Sequence, residues 1–600
     1  MNTTYSTMAY IFENSDLVMS GFENGISDDP YRGINDMRGV NVISVPGEVS
    51  VSFSQTVVTS RLVGTIDSID TGTETITGTV SVGQIQNYIA VQFTNSGGSL
   101  PNGISANTTY WVNFQTSSTF KIFDNCYLNG SPINITSSGS GTNTFTSIDM
   151  GEVRYFERTF GYLIDTNGRV WSPAIDSSSG SAVIRYTWMN NTITDASGNG
   201  LCVFKGKGAS ATKYLFVFRN GVVDYTTCAD TLGIFSSIGT QETGITPNWQ
   251  NAWKTLNTGT SINNPHEALV DVNNVMFFTD SSYIGSLREV PGATFNPGSA
   301  ATYEWNITAL AIPQFDIAQC LEQLNDRLLV GGLFNYVYSW NKTSTGFDTF
   351  QIAEKGSVRI ITVNTNAYIF AGRRGRIFKT NGSQAELFKK VPDFLLGIDP
   401  IFTFYGVAYN KNQIYFGVSA TTNSGTASTT YSGVWAVDVD SGALRVPSIN
   451  STSTATATAI FTLPASTVGY SLIVAWKTGS TYGIDVSSSS PYTEYGPYVD
   501  TEMVPIGQYL KRRTFDNIEF KLSAPLVSGE GIKLSWRSNL SSSFTEIGET
   551  TTAGAISDVY TPNFEGVQWI QLRIQQKSTA SSPSFVRLTE VRLRSNPNNA

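Results

Sequence analysis

Histidine is almost absent from this sequence, and charged residues of both signs are scarce. The chain of 600 residues contains one histidine, His266, and only 14% of its residues are charged. A single histidine excludes zinc sites built from several histidines, and it leaves any Ser-His-Asp or Cys-His catalysis dependent on His266 alone. Because His266 follows Pro265 in a predicted turn before a strand, we interpret it as an ordinary loop residue rather than a catalytic base.

The four cysteines are too few to hold a chain of this length together by disulfides. Cys202 and Cys228 stand where neighbouring strands are expected, so a disulfide between them is one alternative. A pair of buried thiols is the interpretation we favour, because free cysteine behaves as a small apolar residue.

Basic charge is also in short supply. Acidic residues outnumber basic ones by 47 to 38, which gives a net charge of −9. Binding to nucleic acid requires clustered Lys and Arg that neutralise phosphates, so this balance argues against a protein that coats DNA or RNA. A weakly acidic wall past which DNA slides without sticking is compatible with it.

Long apolar runs are missing as well. No stretch approaches the roughly 18 apolar residues of a membrane span, and the first residues lack the basic and apolar regions of a secretion signal. We therefore expect the chain to be made in the cytoplasm.

The residues that replace the charged ones indicate an all-β fold. Ser, Thr, Asn and Gly are abundant, aromatic residues reach 12%, and hydrophobic residues reach 40%. This composition suits strand faces and tight turns better than helix surfaces. A length of 600 residues predicts two to four domains.

Changes in the sequence pattern divide the chain into four parts. Residues 1–60 form an N-terminal segment. This segment is expected to supply the first strand or strands of the large domain at residues 149–500, which is predicted below to be a propeller. Residues 61–148 alternate apolar and polar positions between Gly- and Asn-rich breaks, which predicts an inserted small β-sandwich. Residues 501–600 alternate in the same way and predict a C-terminal β-sandwich with one solvated face.

Residues 149–500 carry a loose internal repeat that predicts a β-propeller. Each unit has an apolar strand, an Asn-rich turn and a second apolar strand. The turn markers Asn273, Asn325, Thr365 and Lys411 are separated by 52, 40 and 46 residues, which is the period of a four-stranded blade. Weaker units around 158–171, 213–225 and 470–484 bring the count to about six or seven blades. An irregular Greek-key stack fits the same strand spacing and is the alternative.

Few segments suggest a chemical site. Propeller glycosidases need two carboxylates about 5–10 Å apart, but no spacing among the acids singles out a pair. The turn from Ile164 to Trp171 is similar to the Asp-box turn of sialidase-type propellers, which is structural and indicates blades. Asp438 and Asp440 lie at alternate positions before Gly442, and we interpret them as a turn rather than a calcium loop. Lys207, between two glycines, lacks the ending of a phosphate-binding loop. We predict no catalytic residue, no metal and no cofactor.

Two segments are candidates for surface contacts. The basic cluster Arg373, Arg374 and Arg376 lies in a predicted hairpin tip, and it is either a solvated turn or a contact for phosphate, lipopolysaccharide or an acidic subunit. The aromatic segment with Tyr492, Tyr495 and Tyr498 is predicted to be an exposed loop that stacks on sugars.

Three stretches resemble proteins of tailed phages. Leu100–Ile104, Thr109–Val112 and Thr119–Ile122 together are similar to a small β-module inserted in many phage virion proteins. The segment 25–51, with Pro30, Gly33 and Pro46, and the segment 511–515 resemble propeller-type phage tail proteins of the nozzle and hub kind.

This resemblance implies a structural, non-enzymatic component of the virion tail, namely a nozzle, hub or tail-tip protein. Its expected partners are other tail proteins and further copies of itself in a ring, with DNA passing through the channel without specific binding. The alternatives are a receptor-binding adhesin that recognises a host surface glycan and a propeller glycan hydrolase.

Overall fold

The computed structural model describes most of the chain from residue 61 to residue 595. The described ranges are 61–176, 183–191, 200–228, 247–257, 266–392, 400–420, 432–446, 455–508, 511–579 and 586–595, with gaps of one or two residues inside some of them, and six strands precede them. These residues are mostly β-strand, with a short 3₁₀ helix at Ala300–Thr302. None of the described helices has the length and apolar character to span a membrane.

The N-terminal strands do not form a unit of their own. Each pairs within the segment or with strands from much later in the chain. They are β1 (Ala9–Glu13), β2 (Asp16–Ser20), β3 (Asp36–Arg38), β4 (Val40–Asn41), β5 (Val49–Val51) and β6 (Phe53–Val58).

The next six strands close into a barrel. Their order is β10-β11-β8-β7-β12-β9, and pairing of β9 with β10 completes the circle. They are β7 (Val63–Asp70), β8 (Thr75–Val82), β9 (Ala90–Ser96), β10 (Thr109–Phe114), β11 (Thr119–Phe123) and β12 (Thr142–Ser147).

The barrel corrects the prediction of a sandwich for residues 61–148. Strand β12 pairs with both β7 and β9, so two sheets that would face each other are joined and neither keeps a free edge. Phe145 fills the interior and lies so close to Gly64 that a Cβ there would be 2.4 Å from its ring. Alternating residues look the same in a barrel and in a sandwich, so the sequence pattern could not separate them.

The following twenty strands form five separate four-stranded antiparallel sheets in chain order. The first has β13 (Val153–Phe156), β14 (Leu163–Asp165), β15 (Val170–Asp176) and β16 (Val183–Trp188). The second has β17 (Gly200–Lys205), β18 (Lys213–Arg219), β19 (Val222–Thr227) and β20 (Gln250–Thr255). The third has β21 (Ala268–Val270), β22 (Val275–Asp280), β23 (Tyr283–Glu289) and β24 (Tyr303–Ala311). The fourth has β25 (Ala318–Leu324), β26 (Arg327–Gly332), β27 (Tyr336–Trp340) and β28 (Asp348–Gln351). The fifth has β29 (Val358–Val363), β30 (Asn366–Ala371), β31 (Arg376–Thr380) and β32 (Ala385–Lys390).

An eight-stranded sheet follows, and it consists of two four-stranded halves. Its order is β36-β35-β34-β33-β37-β38-β39-β6, and the halves meet at one parallel bridge, Tyr405 to Ala459. The N-terminal strand β6 completes the second half by pairing with β39. The new strands are β33 (Ile401–Asn410), β34 (Gln413–Ser419), β35 (Gly433–Asp438), β36 (Leu444–Arg445), β37 (Thr456–Ser466), β38 (Gly469–Thr478) and β39 (Thr481–Pro491).

The first strands of these units lie side by side around one axis. Contacts run in order from β13 through β17, β21, β25, β29, β33 and β37 and return to β13. This arrangement is a β-propeller, as the repeat predicted. Asn273, Asn325 and Thr365 all lie in turns between the first and second strands of a sheet, whereas Lys411 lies outside the described residues.

The last strands build two antiparallel sheets over a shared core, which we call the terminal two-sheet unit. One sheet has the order β1-β2-β49-β44-β47 with β4 and β5 attached, and the other has β3-β40-β48-β45-β46 with β41 attached. The strands are β40 (Tyr498–Asp500), β41 (Val504–Pro505), β44 (Phe515–Leu522), β45 (Gly531–Arg537), β46 (Thr545–Thr550), β47 (Ser557–Tyr560), β48 (Trp569–Lys577) and β49 (Arg587–Ser595). Between β41 and β44, the short strands β42 (Gly507–Gln508) and β43 (Lys511–Arg512) pair with each other as a separate two-stranded sheet.

The terminal two-sheet unit and the propeller share a hydrophobic core. One cluster of buried residues includes Phe520 and Leu572 of the terminal unit together with Phe370 and Phe416 of the propeller. The predicted segment 1–60 contributes β6 to the propeller and β1–β5 to the terminal unit. Strands from the N-terminal segment and strands from the last hundred residues thus share one sheet.

Candidate functional site

Four charged side chains from different sheets meet at the propeller axis. Glu267 lies just before β21, is fully buried, and contacts the guanidinium groups of Arg158 and Arg359. Arg158 also contacts Glu322 of β25, with 2.5 Å between Nη1 and Oε2, and it donates to the carbonyl of Leu321 at 2.9 Å. We call Arg158, Glu267, Glu322 and Arg359 the axial cluster.

The axial cluster contains two cations and two anions, so its formal charge is zero. Burial alone would lower the pKa of Arg158, but the carboxylates of Glu267 and Glu322 outweigh burial and raise it. Burial raises the pKa of Glu322, and Arg158 opposes part of that effect. Each guanidinium therefore already faces a carboxylate, and the cluster offers no excess charge to a ligand.

A cavity of about 270 Å³ lies beside the axial cluster. Its walls come largely from the first strands of several sheets and include two aromatic pairs. Tyr155 and Tyr405 contact edge to face with 5.4 Å between ring centroids, and Phe156 stacks on Phe461 at 5.9 Å. The other lining residues are Arg158, Glu322, Arg359, Ile360, Ile361, Thr362, Val407, Ala408, Tyr409, Ile460 and Thr462.

Two hydroxyl groups at this cavity make no hydrogen bond within the described structure. They are Oη of Tyr155, a residue that is only 2% exposed, and Oγ1 of Thr362. Burial raises the pKa of Tyr155 and of Tyr405 above the usual tyrosine range, so both hydroxyls stay protonated. A buried hydroxyl without a partner costs free energy.

His266 is buried in the protein, contrary to the prediction of an ordinary loop residue. It does precede β21, but its side chain is fully buried, with Nδ1 2.8 Å from the carbonyl oxygen of Thr279 and 4.0 Å from Oδ1 of Asp280. It does not line the axial cavity. Tertiary packing against β22 buries this residue, and its turn-like sequence neighbours gave no sign of that.

The predicted Asp-box-like turn is held together by one carboxylate. Oδ1 of Asp165 accepts the backbone N–H groups of Asn167 and Arg169 at 2.8 and 3.0 Å, and Oδ2 accepts the N–H of Gly151 and the indole N–H of Trp171 at 2.8 and 3.0 Å. All four acceptor positions of this carboxylate are thus used inside the fold. Asp165 therefore has the structural role that the turn pattern indicated.

The Asp438 turn is also structural. Oδ1 of Asp438 accepts the backbone N–H groups of Asp440 and Ser441 at 3.1 and 2.8 Å. Among the described residues, no group of three or more His, Cys, Asp or Glu side chains is arranged to hold a metal ion. All four cysteines are buried and carry free thiols, including Cys202 and Cys228.

The predicted basic contact lies at the turn before β31. Arg373 lies outside the described residues. Arg374 and Arg376 each approach the carboxylate of Glu354 at 3.9 Å, and their side chains are 59% and 30% exposed. The turn thus remains accessible, although one buried carboxylate offsets part of its charge.

The predicted aromatic contact is packed more closely than its sequence suggested. Tyr492, Tyr495 and Tyr498 are all half-buried. Tyr495 donates from its hydroxyl to Glu549 at 2.8 Å and has Lys577 over its ring at 4.5 Å, while the guanidinium of Arg573 lies 4.0 Å from the ring centroid of Tyr498. Cations of the chain itself therefore already occupy ring faces that were predicted to be free for sugars.

Sequence reasoning missed the axial cluster. Its members come from four sheets, and Arg158 is separated from Glu267 by 109 residues and from Glu322 by 164. One local signal was present, because Arg359 and Glu322 interrupt apolar strands in a sequence that has few charged residues. A charge at such a position indicates a buried partner, although it does not identify the partner.

Comparisons with known proteins give structural similarity only. No protein family and no curated protein matches the sequence. Among solved structures, the β-propeller domain of Swd1 from Myceliophteria thermophila has 11% identity and a TM-score of 0.36, covering 57% of this chain and 97% of its own. An ancestral GH74 enzyme has 12% identity and a TM-score of 0.38, and the match covers 64% of this chain and 54% of the enzyme. An exo-β-1,3-galactanase from Phanerochaete chrysosporium has 12% identity and a TM-score of 0.23, and the match covers 65% of this chain and 95% of the galactanase. Similarity at this level carries no argument about function.

Proposed function

We propose that this protein is a structural component of a phage tail, of the nozzle, hub or tail-tip kind, and that several copies form a ring around the DNA channel. The observation that carries the proposal is the interlocked architecture. Strand β6 closes the propeller, β1–β5 complete the terminal two-sheet unit, and both units share one core. Such a body resists separation of its parts under load, which suits a component of an ejection channel. The assignment to a phage rests on the sequence resemblance given above.

We count seven blades in this propeller. Five are the separate four-stranded sheets, and the two halves of the eight-stranded sheet provide the other two. Closure of the last blade by an N-terminal strand protects an edge that would otherwise be open to pairing.

The channel for DNA would lie between copies rather than inside one propeller. The axial cluster and the aromatic pairs fill the axis of the single chain and leave a cavity of only about 270 Å³. A duplex whose major groove alone is about 12 Å wide cannot pass there. A symmetric ring of copies provides the wider opening, and a net charge of −9 disfavours tight contact with the phosphates.

The arrangement of carboxylates supports a non-enzymatic role. Among the described residues that line the axial cavity, Glu322 is the only carboxylate. Glu267 is fully buried behind Arg158 and Arg359. A two-carboxylate hydrolytic mechanism requires both groups to face the sugar, and this geometry gives access to one.

The test is the position of the protein in an intact particle. An electron cryomicroscopy map of the phage that encodes it should show a closed collar of copies around the DNA at the tail. Copies arranged as peripheral fibres would overturn the nozzle assignment in favour of the adhesin alternative. Absence of the protein from purified particles would overturn the structural role altogether.

A further inference from the structure

We propose that neighbouring copies of this chain bind each other at the end of the propeller that carries the barrel. The acidic hairpin β7–β8 of one copy contacts a strip on the next copy that consists of Phe315, Phe334 and Arg374. We call these three residues the barrel-end strip. This inference rests on the proposed ring of copies and names the surfaces that hold the ring together.

The two phenylalanines of the barrel-end strip are exposed on neighbouring loops. Phe315 lies between β24 and β25 and is 61% exposed, and Phe334 lies between β26 and β27 and is 51% exposed. Oδ1 of Asp316 accepts the backbone N–H groups of Leu333 and Phe334 at 2.8 and 3.3 Å, so the two loops are held together. Adjacent exposed aromatic residues commonly mark a protein interface.

The barrel lies at the same end of the propeller as this strip. It is inserted between β6, the last strand of the eight-stranded sheet, and β13, the first strand of the next sheet, just as Phe315 lies between β24 and β25. Strands alternate in direction within each sheet, so all connections of this kind meet one end. The barrel packs on the first two sheets, and the exposure of Phe315 and Phe334 shows that it leaves this part of the fourth sheet uncovered.

Positive charge lies close to the phenylalanines. Asn335 follows Phe334 and exchanges two hydrogen bonds with Ile352, at 2.9 and 3.0 Å. Two residues later, Glu354 lies 3.9 Å from Arg374 of the fifth sheet. The side chain of Arg374 is 59% exposed and that of Glu354 only 8%, so it is mainly the guanidinium that faces solvent.

Two further cations make this corner of the fifth sheet basic. Arg376 also lies 3.9 Å from Glu354, and Lys390 is the cross-strand neighbour of Arg376 in the pair β31–β32. Cations in an interface attract carboxylates and disfavour partners of like charge. Since the chain as a whole has a net charge of −9, another copy is a suitable source of carboxylates.

The barrel carries carboxylates at a turn that is distant from its own propeller. Asp67 and Asp70 are exposed, Glu74 is half-buried, and all three lie on β7 or in the turn to β8. Strand β7 begins next to the end of β12, from which the chain enters the propeller. A strand of eight residues spans about 25 Å, so the turn projects away from the propeller of its own copy and can reach that of a neighbour.

The hairpin and the barrel-end strip are different surfaces of one chain, which favours a second copy as the partner. A contact between two different surfaces repeats from copy to copy, and it closes into a ring when the rotation returns to the first copy. Each copy then offers its hairpin to one neighbour and its strip to the other. This contact therefore produces the symmetric assembly that the proposed function requires.

A cross-linking experiment on the full chain tests the contact directly. A carbodiimide joins a carboxylate to an adjacent lysine amine, and Arg374→Lys keeps the positive charge while supplying that amine. Isotope-labelled and unlabelled copies are mixed, so that mass spectrometry separates cross-links between copies from cross-links within one copy. We expect a cross-link between copies that joins position 374 to Asp70 or Glu74.

Sedimentation velocity measures the strength of the association and its dependence on salt. The native chain should associate, and more weakly at high salt, because salt screens contacts between exposed charges. Arg374→Glu alone, and Asp70→Lys together with Glu74→Lys, should each weaken association about threefold to tenfold. Combining the three changes should restore association, since charges of opposite sign then face each other again. Misfolding of a variant would not be reversed in this way.

The apolar part of the strip is tested in the same assay. Replacing both Phe315 and Phe334 by Ser should weaken association about tenfold or more, because buried aromatic side chains dominate the energy of many interfaces. The matched control is Val272→Ser. Val272 is 81% exposed but lies in the turn between β21 and β22, at the opposite end of the propeller, so this change should leave association unaltered.

Three results in solution would overturn the inference. They are a native chain that stays monomeric up to about 0.1 mM, a cross-link confined to one copy, and a combined charge reversal that restores nothing. A collar in the particle whose copies touch through other surfaces would also overturn it, while leaving the proposed tail function standing.

Discussion

Replacing Glu267 by Gln should destabilise the protein far more than loss of a surface carboxylate. Glu267 is completely buried and faces Arg158 and Arg359, whose side chains are 29% and 8% exposed. Gln has the same shape, so the change removes charge without opening a cavity. Arg158 keeps Glu322 as a partner, whereas Arg359 loses the carboxylate that it contacts. Breaking one such buried pair costs about 3–5 kcal/mol in the free energy of unfolding.

The assay is equilibrium unfolding in urea, which is uncharged and does not screen ion pairs. Tryptophan fluorescence and far-UV circular dichroism are recorded together, because coincident curves are needed to treat the transition as two-state. The matched control is Glu304→Gln, since the Arg288–Glu304 pair is 59% and 49% exposed and should contribute less than about 1 kcal/mol. Equal shifts for the two variants would refute the claim that the axial cluster is a buried, stabilising network.

Three further predictions concern a pH effect, a turn and the thiols. Burial raises the pKa of Glu157 above its ordinary value of 4.5, although the hydrogen bond from the N–H of Phe160 opposes this. The folded protein therefore keeps the Glu157 proton to a higher pH than the unfolded chain does. The free energy of unfolding consequently falls as the pH rises from about 4.5 through the raised pKa. Because burial also raises the pKa of Glu322 and Asp165, Glu157→Gln should show a smaller fall in urea midpoints across that range than the native protein, and a parallel pH profile would contradict the assignment. Asp165→Ala should lower the free energy of unfolding by about 2–4 kcal/mol, because four hydrogen-bond donors lose their acceptor. The control Asp326→Ala, at an exposed turn residue, should change that free energy by less than about 0.5 kcal/mol. Similar urea midpoints for the two variants would contradict the structural role of the Asp165 turn. Burial also raises the pKa of Cys320 to about 12, so a thiol reagent should label none of the four cysteines in the native protein and all four after unfolding.

The repeat could be read from the sequence because its signal is local. The turns marked by Asn273, Asn325 and Thr365 each join two strands that are adjacent in the chain. Asn274, Asn325 and Asn364 have φ values of 59°, 53° and 55°, a region that asparagine tolerates better than most residues. A strand, an Asn-containing turn and a second strand therefore appear as a recognisable string of residues.

The barrel and the site could not be read in the same way. Closure of the barrel depends on β12 pairing with both β7 and β9, which alternation along one strand does not reveal. The axial cluster depends on which sheets face each other across the axis. His266 looked like a loop residue because the sequence before it, Asn264 and Pro265, is typical of a turn, and its contact with Thr279 of β22 forms only in the folded protein.

The sequence by itself determined the all-β character, the propeller repeat and the structural nature of the Asp165 turn, since composition, period and turn chemistry act over a few residues. Tertiary structure alone decided that β6 closes the propeller and that β1–β5 complete the terminal two-sheet unit. It also decided that Arg158, Glu267, Glu322 and Arg359 meet at one point. The physical reason is distance along the chain: these contacts form only when the first strands have closed into a ring, and no local pattern of residues encodes which partners that ring brings together.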